Sequence, residues 1–472
     1  MVGQVAAMPL SLLNNVVMAR YLGPDDFGLI YLVATAWSFG ILFVEWGQSS
    51  TVTALIAKEP TRVGEGLGTS LAWRALTMPL VYGLMAGGAA LLRQGHECQV
   101  ALALMALVYA VYTGSAAIQD ALRGLERMEM PAKGVVAQQI LNFLLVTPIL
   151  LLGGRVSAVL VGQAAAMLAV AAWAARVLRR LPNASPHFSR STLKHLLAAG
   201  APFLALNISL ALQPNVDALL LAKLAPPESL GWFAAAKRLV GVLIFPATAL
   251  ATAFYPTWVR LWNEDKDAFR HAVSTGLRAS TVLVAPIALG CALYPDIGIR
   301  AFSRHSFGPA EADVRVLSLF VLALFYSMIL GGAVTAAGRI RPWAVCQFGC
   351  VIVSAVLDPL LVPYCQHRYG NGSLGVCVST VVSESFIVVS GGALLPSGIL
   401  DRRLARTVGL TIVAGLAMVA AARLLSGVSS FVAAPIAVVA YGVCLWGTGG
   451  VDPALVDLIR SSVTRRFARA GA

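Results

Sequence analysis

Charge is scarce in this sequence. Only 12% of its 472 residues are Asp, Glu, Lys or Arg, about half the ~25% of a soluble domain. With 58% hydrophobic residues and a mean hydropathy of +0.78, that shortage excludes a water-soluble globule and makes the chain an all-α integral membrane protein. Carboxylates are the scarcer sign, 22 against 35 Lys and Arg. The net charge of +13 comes with no aromatic-basic platform, so nucleic acid is excluded as a partner. Catalytic motifs are missing too. The six histidines (His96, His187, His195, His271, His305 and His367) fall in loops or at span ends, with no His-Glu-x-x-His spacing. No Gly-x-x-x-x-Gly-Lys-Ser/Thr loop is present, which excludes built-in ATP hydrolysis. An enzyme is not expected, nor a cofactor. The seven cysteines are scattered and odd in number, which gives neither a metal site nor a disulfide framework. Cys346 and Cys350 share a helix face as small apolar residues, and Cys365 with Cys377 flanks one loop, the pair that could form a disulfide.

What the chain does contain is long apolar runs. Spans are expected at about 2–19, 28–50, 67–92, 98–121, 134–153 and 156–175, then 196–222, 229–258, 272–294, 314–337, 342–363, 374–395, 407–425 and 428–446. The first has no basic stretch before it, so it reads as a span and not as a cleaved signal peptide. The longest non-apolar run, 176–195, carries five Lys/Arg and no carboxylate. It divides the chain into an N-lobe (1–175, six spans), a basic linker (176–195), a C-lobe (196–396, six spans), and two extra spans with a basic tail (397–472). Of the 35 basic residues, 22 lie in loops after even-numbered spans or in the tail and 8 in the other loops. By the positive-inside rule the linker and both termini are then cytoplasmic.

The two lobes read as a parallel repeat. A shift of 203 positions sets Asn14 on Asp217, Arg20 on Lys223, Pro24 on Pro227, Asp25 on Glu228 and Gly28 on Gly231. One residue out of that register, Arg74-Ala-Leu-Thr77 falls on Arg278-Ala-Ser-Thr281. Six spans per copy give a pseudo-twofold axis along the membrane normal and a cavity between lobes. Five basic residues lie within or at the edge of spans: Arg74, Lys223, Lys237, Arg238 and Arg278. A charge there costs at least ~2.5–3.5 kcal/mol, so it needs a partner or a polar cavity. Glu45, Asp120, Asp217, Asp358 and Glu384 are the carboxylates at hand. They could pair with the arginines, hold a coupling cation or carry a proton. A cationic cavity selects an anionic ligand, and the planar fork of Arg matches a diphosphate.

The stretch Ala19-Arg-Tyr-Leu-Gly-Pro-Asp-Asp-Phe-Gly-Leu-Ile-Tyr31 resembles the opening signature of bacterial polysaccharide and O-antigen flippases, within the multidrug/oligosaccharidyl-lipid/polysaccharide exporter superfamily. Gly200-Ala-Pro-Phe203, Asp217 and Leu230-Gly-Trp-Phe-Ala-Ala-Ala-Lys-Arg238 resemble it again in the second lobe. The resemblance implies fourteen transmembrane helices in two lobes of the inner membrane. It implies alternating-access movement of undecaprenyl-diphosphate-linked oligosaccharide, beside a polysaccharide polymerase and chain-length machinery; with no ATP site in the chain, the energy is expected from an ion gradient or from the substrate's own gradient. On that reading Arg20, Arg74, Lys237, Arg238 and Arg278 engage the diphosphate or line the lumen, with Arg74 and Arg278 as its clamp. Trp232-Phe233 departs from the family's usual pattern. The alternatives are a cation-coupled multidrug exporter of the same superfamily, which would use the carboxylates, and a membrane glycosyltransferase or O-antigen polymerase, which would need a large catalytic loop.

Overall fold

A computed structural model of the protein describes residues 2–91, 95–179, 185–302, 306–399 and 401–450. Arg180 of the expected linker and Arg460, Arg465, Arg466 and Arg469 of the basic tail lie outside the described residues. All regular structure among the described residues is helical, as lipid requires of a spanning chain that must satisfy its own backbone. Among the described residues, eleven helical segments are long and apolar enough to cross a membrane.

The chain divides into two compact units. The first holds residues 1–238, 301–308 and 358–375. It contains α1 (Val2–Glu45), α2 (Gln48–Lys58), α3 (Val63–Leu91), α4 (His96–Gly124), α5 (Glu129–Leu151), α6 (Val156–Arg179), α7 (Arg190–Leu224) and most of α8 (Pro227–Val242). Two expected spans meet in α1, where Gly23, at φ 79° and ψ 175°, breaks the helix just before Pro24. The segment from Ala7 to Lys58, 52 residues in all, is therefore long enough for two crossings at ~20 residues each. The helix that follows the break bends again at Trp46 (φ 48°) and Gly47 (φ 67°) and continues as α2, eight residues beyond the expected end of that span. The ends of α2, α3, α4, α6 and α7 close on an apolar cluster that includes Val52, Ile56, Leu67, Leu122, Leu178 and Leu196.

The described part of the linker is tied to α3. His187 N–H donates to the Gly64 carbonyl (3.1 Å) and Ser189 N–H to Thr69 Oγ1 (3.1 Å). Glu65 accepts from Arg62 Nε (2.9 Å) and from the Thr192 hydroxyl. These two donors hold the Glu65 carboxyl at about 2, well below its usual range.

Gly28 and Gly231, the pair matched by the repeat, are in contact within this unit. A Cβ on Gly28 would lie 2.9 Å from Gly231 N, and one on Gly231 only 2.0 Å from the Pro24 carbonyl oxygen. The two repeat signatures thus cross backbone to backbone, the close approach that small residues allow between membrane helices. Phe27 packs edge-on against Phe302 and Phe307, and Trp232 Nε1 donates to the Ser306 carbonyl (2.9 Å).

The second unit holds the described residues of 239–300, 309–357 and 376–472. It is built from α9 (Ile244–Glu264), α10 (Lys266–Leu293), most of α11 (Pro295–Phe302), α12 (Ala310–Ala336), the first part of α13 (Ile340–Tyr369), most of α14 (Ser373–Ala393), α15 (Arg402–Leu424) and α16 (Ser430–Gly447). Sequence reading places one span at 229–258; the structure shows α8 and α9, interrupted after Val242. Pro246 sits in the first turn of α9, where its missing N–H costs no helical bond. Trp258 is fully buried at the centre of this unit's core, stacked on Phe254 and enclosed by Leu277, Ile329 and Leu330. Helices α15 and α16 pack through Met418, Ala437 and Tyr441, and Tyr441 donates to the Val282 carbonyl of α10 (3.0 Å). Cys377 of this unit is a buried thiol, as is Cys365 of the first.

Candidate functional site

A cavity of about 600 Å³ opens within the first unit, walled by α1, α4, α5 and α6 and bordered by Arg238 of α8. Its lining mixes apolar residues (Met18, Ile30, Ile41, Met105, Val108 and Met167 among them) with polar ones, none of them acidic. Six amides face it: Asn14, Asn15, Gln138, Gln139, Asn142 and Gln163. Hydroxyls come from Ser11, Ser38, Tyr109, Tyr112 and Thr147. Arg238 is the one charged residue among the lining residues.

Helical spacing explains the arrangement. Ser11, Asn15 and Met18 recur at i, i+4, i+7 on α1, and Gln138, Asn142 and Val146 at i, i+4, i+8 on α5, so each set shares one helix face. Asn14 Nδ2 donates to both the side-chain and the main-chain oxygen of Gln139 (3.0 Å each), joining α1 to α5. Asn15 Nδ2 turns back to the Ser11 carbonyl (2.7 Å). Asn142 Oδ1 is buried and has no hydrogen-bond partner. The α4 wall is aromatic: Tyr109 stacks on fully buried Trp37 (5.5 Å, 15°), and Tyr112 meets Tyr109 edge-on (5.9 Å, 70°). Trp37 is anchored by its own indole N–H to the Leu102 carbonyl (3.2 Å).

The intramembrane charges distribute unevenly. Arg238 is exposed, its guanidinium 5.9 Å from the centre of the Tyr31 ring. Lys237, one residue earlier and half-buried, lies over the Phe233 ring at 5.4 Å. Arg20 is exposed on α1. Arg74 is enclosed, 2% exposed. Its Nη2 lies 3.2 Å from Asp120 Oδ2, and its Nη1 donates to the Thr113 carbonyl. Asp120 also accepts from Ser49 (2.7 Å) and Arg123 (3.1 Å). The guanidinium expected to face a diphosphate is therefore engaged, in this structure, by a carboxylate and a carbonyl. Glu45 is half-buried at the end of α1. Arg278 belongs to the other unit, half-buried on α10, with Nη2 2.9 Å from Thr275 Oγ1. Asp217 and Asp358 are buried, as is Glu384, which accepts from the Ser327 hydroxyl.

Of the residues read from the sequence as a site, Arg238 borders this cavity. The amides and tyrosines carry no charge and escape a reading built on charge; their signal is polar residues recurring at i, i+4 within apolar spans.

The comparisons agree with this architecture. No curated protein matches the sequence. The lipid II flippase MurJ in an inward closed conformation superposes with a TM-score of 0.71 at 12% identity, covering 94% of this chain and 97% of that one. An inward-facing multidrug resistance MATE family transporter of the MOP superfamily gives 0.65 at 15% identity, covering 82% and 92%. The eukaryotic MATE transporter AtDTX14 gives 0.56 at 13% identity, covering 86% and 95%. At such identities the likeness is one of fold. The MatE family model matches residues 202–360. The model described as polysaccharide biosynthesis protein matches residues 1–262, more than half of the chain, and with the helical architecture it shows that the chain belongs to the polysaccharide biosynthesis protein family.

Proposed function

We propose that the protein is a flippase that moves a saccharide linked through diphosphate to undecaprenol across a bacterial inner membrane, with its termini on the cytoplasmic side. The observation that carries this reading is the polar half of the cavity lining in the first unit, which among apolar residues such as Met18, Ile41 and Met167 presents amides, hydroxyls and one arginine and no carboxylate. Amides both donate and accept, which matches them to sugar hydroxyls, and Arg238 supplies the fork that an anionic group takes. An ion gradient drives the cycle through the buried carboxylates, and a polysaccharide polymerase acts on the product. The multidrug reading is favoured by a different feature of the same cavity, the faces of Tyr109 and Tyr112, which attract an organic cation. A cationic ligand would find Arg238 at the border and no opposing carboxylate in the wall.

The two readings separate in cells. A strain lacking the gene is expected to accumulate lipid-linked oligosaccharide and to lose surface polysaccharide. The wild-type gene restores both, and Arg238→Glu does not. Unchanged surface polysaccharide together with raised sensitivity to cationic drugs would overturn this function in favour of drug export.

A further inference from the structure

A second cavity of the first unit, about 250 Å³, is lined by the ends of three helices. Asp26 and Leu29 come from α1 just past its break at Gly23. His96, Glu97 and Val100 come from the start of α4, and Arg155, Val156 and Ser157 from the entry to α6. Asp26, His96, Glu97 and Arg155 each stand within two residues of an expected span start, at 28, 98 and 156. That is the depth at which hydrocarbon gives way to lipid headgroups. All three ends follow odd-numbered spans, so with the termini cytoplasmic they lie on the external side. Leu151 and Leu152, in the turn that leads to Arg155, are 62% and 89% exposed, an apolar surface suited to acyl chains.

The lining carries both signs: Asp26 and Glu97 are acidic, Arg155 and His96 basic. Arg155 Nε stands 3.8 Å from Asp26 Oδ2, beyond hydrogen-bond distance, with the two side chains 79% and 19% exposed. So loose a pair contributes little by itself, and both partners remain accessible. A simple anion entering here meets two carboxylates, and a simple cation meets the guanidinium. A zwitterion satisfies both signs. A phosphoethanolamine headgroup offers a phosphodiester to Arg155 and an ammonium with three N–H donors to the carboxylates. The trimethylammonium of phosphocholine has no such donor. We propose that this pocket is an external-leaflet site for phosphatidylethanolamine, its ammonium taken by Asp26 and Glu97 and its phosphate by Arg155. The lipid braces the ends of α1, α4 and α6, three of the four helices that wall the larger cavity, whatever that cavity carries.

Full-length protein in detergent, titrated with lipids of identical acyl chains and read by native mass spectrometry, tests the site. Phosphatidylethanolamine is expected to bind about 5-fold more tightly than phosphatidylcholine or phosphatidylglycerol, the scale of one hydrogen bond at an exposed charged site. Asp26→Asn/Glu97→Gln brings phosphatidylethanolamine to the level of phosphatidylcholine. Arg155→Gln weakens both lipids by a similar factor, since both carry the phosphodiester. An unchanged melting temperature shows that each variant is folded. Equal binding of the two lipids by wild type, or a preference that survives the double variant, overturns the site. Displacement of the bound lipid by an equal concentration of water-soluble glycerophosphoethanolamine overturns the lipid as its occupant. None of these outcomes bears on the flippase reading, which the gene-deletion assay tests.

Discussion

Replacing Asp120 with Ala is expected to destabilise the first unit by about 3–5 kcal/mol, because it strands a buried guanidinium. Arg74 is 2% exposed and Asp120 is 1% exposed. Asp120 takes hydrogen bonds from Arg74, Arg123 and Ser49, which come from α3, α4 and the start of α2. Asp120 is therefore the carboxylate hydrogen-bonded to Arg74, with Glu45 also close enough to feel its charge, and it joins three helices. Loss of Asp120 leaves a buried cation whose remaining hydrogen-bond acceptor is the Thr113 carbonyl and whose remaining nearby carboxylate, Glu45, is not hydrogen-bonded to it, and Nε is already without a partner. Arg123, at 39% side-chain exposure, can turn to solvent and suffers less. The double variant Arg74→Leu/Asp120→Leu is expected to regain most of the loss, since removing both charges removes the desolvation cost together with the attraction. Thermal unfolding of detergent-purified protein, followed by size-exclusion fluorescence, reads both effects. A double variant no more stable than Asp120→Ala would contradict the pairing.

The second large effect is at the crossing of the two repeat signatures. Gly231→Ala places a Cβ 2.0 Å from the Pro24 carbonyl oxygen, and Gly28→Ala one 2.9 Å from Gly231 N and the Pro227 oxygen. The obstacle in each case is backbone and cannot rotate away. We expect Gly231→Ala to cost close to the upper end of the ~1–3 kcal/mol of an overpacked core and Gly28→Ala less. At Gly83, on α3, an added Cβ would meet nothing within 4 Å, so Gly83→Ala should be neutral or slightly stabilising through helix propensity. The measurement is the melting temperature of the three variants side by side. Equal shifts would mean that Gly231 and Gly28 are not in closed contact.

The fold is legible where punctuation is strong. Gly23-Pro24 and Ala225-Pro226-Pro227 each separate two helices at the common offset of 203 residues, because a glycine at positive φ or a proline stops a helix whatever surrounds it. The α8 to α9 break is hidden, since hydropathy continues through it unchanged. The site is less legible. Arg74 and Asp120 are 46 residues apart, on α3 and α4, and no periodicity links residues on different helices. Asn142 and Gln138 give only a spacing, and an uncharged amide in an apolar span reads equally as a helix-to-helix contact. Arg238 stands out by charge, and the structure adds what surrounds it.

The most direct test of the central claim is translocation in proteoliposomes. Purified protein is reconstituted with a fluorescently labelled prenyl-diphosphate-linked disaccharide, and the leaflet occupied is read by quenching with dithionite. Protein-dependent movement of the labelled lipid between leaflets is expected, slowed about tenfold or more by Arg238→Glu, the effect of losing a charge-assisted bond. Tetraphenylphosphonium is not expected to be transported. Labelled lipid that stays in its leaflet while tetraphenylphosphonium moves down an imposed ion gradient would contradict it.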